Sequence, residues 1–252
     1  MKRAALVMFG LLLWGAARVP AEHALFITRV QSHLLSVPVD LSLREQLSQT
    51  GFVALLSGFR SLAADLLFIK AHIAWERTEW GRVLILFRQA TTLQPRAVLF
   101  WDMAAWHMAW NASAAAARDP AQPRLALRIK AEHEYWDIGR DFLERGIKNN
   151  PDRPELLEAL ARLYRDKYKD HLRAAEYFDK AAGKPGAHSY TRRFAAYELS
   201  YCEGREQEAY DRLSRLYQAG GQERLPTLIS RLKFLEDKLN LPLDQRIPET
   251  AR

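Results

Sequence analysis

Cysteine is nearly absent from this sequence: among 252 residues there is one, Cys202. A lone thiol forms no internal disulfide and no multi-thiolate metal site, and Cys202 lies too far from the N-terminus to be the acylated residue of a lipoprotein. Strand-like alternation of apolar and polar residues is also missing, which points to an all-α chain. There is no nucleophile elbow, no phosphate-cradling glycine loop, no pair of zinc-binding histidines on one helix and no dinucleotide fingerprint. At 48% apolar and 27% charged residues the composition is that of a folded protein of one or two domains. The formal charge of +7 invites a nucleic-acid reading. However, Lys2, Arg3 and Arg18 belong to an N-terminal targeting segment. Elsewhere basic residues alternate with acidic ones, as in Asp141 to Arg145 and Glu203 to Arg215, and no basic stripe with interleaved aromatics exists. Nucleic acid is not an expected partner.

What is present begins with targeting. Met1-Lys2-Arg3 place positive charge ahead of the apolar stretch Ala4 to Ala17, which Arg18 closes. That order marks residues 1–21 as a signal peptide or an N-terminal membrane anchor. The stretch is shorter than the ~20 residues that span a bilayer. Val19-Pro20-Ala21 offers a small-residue cleavage site, and both cleavage and retention stay open. The expected location is outside the cytoplasm, either periplasmic or anchored in the inner membrane and facing the periplasm. Residues 22–63 form a lead-in of short helices broken by Pro38, Gly51 and Gly58. It contains a capping box, Ser42-Leu43-Arg44-Glu45, and an apolar run, Phe52 to Leu56, that either packs on the following unit or faces a partner.

From Asp40 to Asn240 the apolar spacing is mostly three and four, with breaks at Pro95, Pro120, Pro123, Pro151, Pro154, Pro185, Gly186 and Gly220-Gly221. Inside this helical pattern a motif recurs: a small residue, a large apolar residue four later, a small or apolar residue three later, then a helix breaker. Val83, Phe87, Ala90 and Pro95 form the first copy, and Gly139, Leu143, Gly146 and Pro151 the second. Ala174, Phe178, Ala181 and Pro185 follow, and Ala209, Leu213, Leu216 and Gly221 give a degenerate fourth. The last three copies begin 35 residues apart.

This period and pattern resemble the tetratricopeptide repeat, a helix–turn–helix unit of about 34 residues with A-x3-F and then P in its second half. The resemblance covers residues 64–221, with an enlarged second unit and an insertion near 111–132. It implies a right-handed α-solenoid of helix pairs, each burying its apolar face against the next. The first helices should carry Leu157, Leu160, Ala161 and Tyr164, or Trp101, Ala104, Ala105 and Met108, at the packing positions. Leu67, Lys70, Ala71 and Ala74 fit in part, whereas Arg193, Ala196, Tyr197 and Ser200 fit poorly. In residues 222–252, Leu225, Leu228, Leu232, Leu235 and Leu239 suit a capping helix with one apolar stripe; a short coiled-coil seam is the alternative. A second membrane span over Ala97 to Ala117 is disfavoured because Asp102, His107 and Asn111 point in different directions.

The resemblance also implies a concave groove lined by the first helices, which holds a protein or peptide partner. Its residues are expected to be Asp65, Phe68, His72, Trp75 and Glu76 in the first unit and Asp102, Trp106 and Trp110 in the second. Glu155, Glu158, Arg162 and Arg165 follow, then Thr191, Phe194, Glu198 and Tyr201. Tryptophan and arginine dominate many interfaces energetically, although Trp101 and Trp136 are assigned to the core. No catalytic residue, metal site or cofactor is expected. The pairs His72 with Glu76 and His133 with Asp137 are only half-sites for a metal, and Asn111-Ala112-Ser113 is a glycosylation acceptor inside a helix. The expected function is therefore that of a non-catalytic scaffold or adaptor in the cell envelope. The alternatives are an all-α enzyme using carboxylates such as Glu155 and Glu158 on a cell-wall or polysaccharide substrate, and a structural membrane-assembly subunit.

Overall fold

The computed structural model describes residues 58–221 and 223–248, together with Trp14, Arg18, Pro20, Ala24, Leu25 and Thr28, which are helical. The rest of the expected targeting segment, the expected capping box at 42–45 and the apolar run at 52–56 lie outside the described residues. Among the described residues the fold is all-helical, without a strand.

Helix α1 (Arg60–Glu76) turns through Thr78, at φ 55°, into α2 (Trp80–Leu93). Past Pro95, α3 (Val98–Trp106) continues through a π-helical turn (His107–Ala112) into α4 (Ser113–Ala117). The proline segment at 120–123 then leads to the long α5 (Leu125–Asn149). Helix α6 (Pro154–Leu163) ends in a second π turn (Tyr164–Tyr168). It is followed by α7 (His171–Ala182), α8 (Tyr190–Leu199), α9 (Glu206–Ala219) and α10 (Pro226–Lys238). Pro154 and Pro226 each sit in the first turn of their helix, where a missing N–H costs nothing and the fixed φ suits the helix.

At the start of α7, Lys169 adopts the left-handed region at φ 55° and Asp170 caps the helix, accepting from the Arg173 amide at 2.9 Å. Asp170→Ala removes an acceptor from a free helical N–H and should cost about 1 kcal/mol in urea-unfolding experiments.

Each helix packs mainly on its neighbours in sequence, with α3, its π turn and α4 together lying along α5, and α3–α6 and α8–α10 touch as well. The recurring small–large–small positions supply these contacts. Val83, Phe87 and Ala90 are fully buried, as are Leu143, then Ala174, Phe178 and Ala181, and Ala209 and Leu213. Between them the turns are stitched together. The Pro95 carbonyl accepts from the Trp101 indole and from Asn150 Nδ2, both at 2.9 Å, and Asn150 also donates to the Gly146 carbonyl at 3.0 Å. Leu228, Leu232 and Leu235 of α10 are buried in a core shared with α8 and α9.

Two features depart from the expected register. Lys70 is exposed and Ala64, Ala71 and Ala74 are the buried positions of α1. The opposite side of that helix exposes Leu62, Leu66, Ile69 and Ile73, so α1 is apolar on both faces. Among the described residues no helix is long and apolar enough to cross a membrane, and residues 98–117 pack along α5.

Candidate functional site

A hollow of about 460 Å³ opens between α3 with its π turn and α6 with its own π turn. Of the expected groove residues it brings together Asp102, Trp106, Trp110 and Arg162; Met103 and Asp166 complete the walls. Small side chains make the space: Ala105 and Ala159 lie at the bottom with Leu143 of α5.

The π turn aligns one wall. In an α-helix, residues four apart drift by about 40° in a constant sense. The wider π turn takes that drift back between Trp106 and Trp110, leaving Asp102, Trp106 and Trp110 on one strip.

Within the hollow Asp102 has no hydrogen-bond or ion-pair partner among the described residues. Burial raises its pKa, the Arg162 charge pulls it back and Glu155 pushes it further up. Arg162 lies 3.9 Å from Glu158 Oε2, while Asp166 is held by Arg165 Nε at 2.7 Å. The Lys167 ammonium sits 5.8 Å from the rings of both Trp110 and Trp136, and burial lowers its pKa. Trp106 is 43% exposed, a large aromatic surface left open at the rim.

Beneath Trp106 lies a closed aromatic box around His107, which is fully buried. Its ring stacks on Phe87 at 5.5 Å and meets Trp75 at 5.0 Å, Trp106 at 5.1 Å and His72 at 5.3 Å. Asn111 Nδ2 faces His107 Nδ1 at 3.2 Å, which places the ring proton on Nε2, an atom without a hydrogen-bond partner. Burial, with a smaller contribution from His72, lowers the His107 pKa to about 4.

The other expected groove residues divide into open and committed positions. Asp65 and Glu76 are exposed on α1. Phe68 is instead a packing residue, stacked on Phe100 at 4.7 Å, and His72 Nδ1 bonds the Phe68 carbonyl oxygen at 3.1 Å. Glu155 pairs with Arg153 at 2.9 Å. Glu158, Thr191 and Glu198 are buried, so they do not face an open surface. Glu158 bonds His188 Nδ1 at 2.9 Å and accepts from the Tyr190 hydroxyl at 2.5 Å, locking the approach to α8 onto α6. Thr191 donates to the His188 carbonyl at 2.7 Å, and Glu198 bonds His171 Nδ1 at 2.7 Å. Arg165 lies 6.0 Å over the Phe194 ring, which is wedged against Phe178 at 5.5 Å. Tyr201 is 54% exposed, sandwiched by His171 at 4.7 Å and Arg231 at 3.9 Å.

Trp101 is 1% exposed and in the core, while Trp136 is half-buried against His133 at 4.2 Å. Asp137 accepts from the Tyr168 hydroxyl at 2.6 Å, which occupies the second half-site. Among the described residues no three His, Cys, Asp or Glu side chains converge as a metal site. Met103 and Asp166 were missed at the hollow. Asp166 was findable, since it stands one helical turn beyond Arg162.

A larger hollow, about 680 Å³, lies among α7, α8 and α9 beside Arg192, Arg212 and Arg215. Arg212 is already committed there, to Asp179 at 2.6 Å and Glu208 at 2.7 Å, and no aromatic ring lines the space. The hollow at Asp102 is therefore the stronger candidate, combining exposed aromatic area with an uncommitted charge. No protein-family model matches this chain and no curated protein matches it either.

Proposed function

We propose that this chain is a non-catalytic scaffold or adaptor of the cell envelope, which grips a partner polypeptide along the first helices of a right-handed, tetratricopeptide-like solenoid. The observation that carries the reading is the hollow between α3 and α6, where Trp106 and Trp110 stand beside Asp102 and Arg162. Aromatic rings next to charges that retain a free hydrogen-bonding face are what interface hot spots are made of. Burial of the recurring small and aromatic positions, and packing of each helix on its sequence neighbours, support the solenoid. The basic-then-apolar N-terminus supports export, with residues 1–21 either removed or retained as the membrane anchor.

The test is affinity capture from envelope extract with the full chain, repeated with the Trp106→Ala, Asp102→Asn double variant. The reading expects one discrete polypeptide with the unmodified chain and at least about tenfold less with the variant, at equal helicity by circular dichroism. Equal recovery by both proteins contradicts a groove contact.

A further inference from the structure

The reading of the groove as a polypeptide site can be taken one step further, to the chemistry of the residue it holds; this step rests on that reading. The two halves of the groove differ in charge. Asp65, Glu76 and Asp102, on α1 and α3, have no partner among the described residues, and no lysine or arginine is among the groove positions of these two helices. On α6 and the π turn that follows it every carboxylate is committed. Glu155 is taken by Arg153 at 2.9 Å, Glu158 by His188 at 2.9 Å and Tyr190 at 2.5 Å, and Asp166 by Arg165 at 2.7 Å. The negative charge left for a ligand in the hollow is therefore that of Asp102.

Its surroundings favour a cation with an apolar stem. Trp106 and Trp110 share the strip with Asp102, and indole faces attract ammonium and guanidinium groups while burying methylenes. A half-buried carboxylate without a partner is costly to keep ionised, and an incoming cation relieves that cost. Arg162 acts on Asp102 only through its charge: its guanidinium lies 3.9 Å from Glu158 and makes neither a hydrogen bond nor an ion pair with Asp102.

We propose that this hollow takes a lysine or arginine side chain of the partner polypeptide, its charged end on the Asp102 carboxylate and its methylene stem against Trp106 and Trp110. Arg162, on the facing wall, and Lys167, 5.8 Å from the Trp110 ring, oppose the incoming charge and set an upper limit on affinity.

The test uses the full chain and four peptides of the form acetyl-Gly-Leu-Xaa-Leu-Gly-amide, with Xaa lysine, arginine, norleucine or glutamate. Binding is read from the indole N–H resonances of Trp106 and Trp110. The lysine and arginine peptides should bind about tenfold tighter than the norleucine peptide, with glutamate weakest. Asp102→Asn, which keeps the side-chain shape, should reduce the lysine peptide to the norleucine level. Arg162→Gln should strengthen the lysine peptide, reading the same site from the opposite wall if the first variant folds poorly. A tightest-binding glutamate peptide, or a lysine advantage that survives Asp102→Asn, overturns the assignment. Equal binding of lysine and norleucine overturns it too, yet leaves the polypeptide groove standing. If no peptide moves either indole, the groove reading fails and this proposal with it.

Discussion

Replacing Gly139 or Gly146 with alanine should lower the melting temperature by about 6 °C, the reverse of what the same change does in an ordinary helix. Alanine has a helix propensity about 1 kcal/mol better than glycine. At these two positions packing overrides that gain. A Cβ on Gly146 would stand 2.8 Å from Trp101 Cγ and 3.1 Å from Leu156 Cδ1. A Cβ on Gly139 would stand 2.7 Å from Ala109 Cβ and 3.0 Å from the Ala105 carbonyl oxygen. Trp101 Cγ, Ala109 Cβ and the Ala105 carbonyl oxygen all lie at or next to backbone and cannot swing aside, so relief requires α5 to move away from α3 and its π turn. Overpacking of this kind costs about 1–3 kcal/mol beyond the propensity gain, and valine costs more. Gly81 is the control: it lies in α2 with nothing within 4 Å of a built Cβ, so Gly81→Ala should be neutral or raise the melting temperature. Three thermal melts decide the matter, and equal shifts at all three glycines would contradict close approach of α3 and α5.

Acid should destabilise the fold through His107. Its side chain titrates near 6.5 in an unfolded chain and near 4 in the folded one. Above pH 6.5 both states are neutral and the group adds no pH dependence. Between pH 6.5 and 4 the unfolded chain binds a proton that the aromatic box excludes, so stability falls as pH falls. The loss reaches about 3 kcal/mol once both states are protonated. His107→Phe keeps a ring to stack on Phe87 and removes the titration. Urea unfolding at pH 7 and pH 4.5 should show a clearly smaller loss for the variant than for the unmodified chain. The same loss in both proteins would place the acid sensitivity elsewhere.

How far the sequence could be read follows from which interactions are local. Helicity, the glycines of α5 and the alanine–phenylalanine pairs of α7 were legible because a fixed spacing demands small residues where helices approach. Asp102, Trp106 and Trp110 were placed together by the register that the tetratricopeptide resemblance implies. The π turn that aligns them has no comparable local code, and neither does the one at Tyr164. Burial of Glu158 and Glu198 was not legible either. Their partners, His188, Tyr190 and His171, come from other elements about 30 residues away, and a glutamate on a helix looks solvated until its partner is known. The buried face of α1 was obscured by its apolar residues on all sides. The small residues Ala64, Ala71 and Ala74 mark the contact, whereas the larger Leu62, Leu66 and Ile69 stay outside. Charge commitment, which leaves Asp102 as the free carboxylate of the hollow, emerges only when every ion pair around it is placed.

The most direct measurement is photocrosslinking in cells from benzoylphenylalanine introduced separately in place of Trp106, Arg88 and Lys148, the last two being exposed on α2 and α5. A strip on the first helices that holds a partner predicts one discrete crosslinked polypeptide from position 106 and none from 88 or 148. Crosslinks from 88 or 148 with position 106 silent would contradict it.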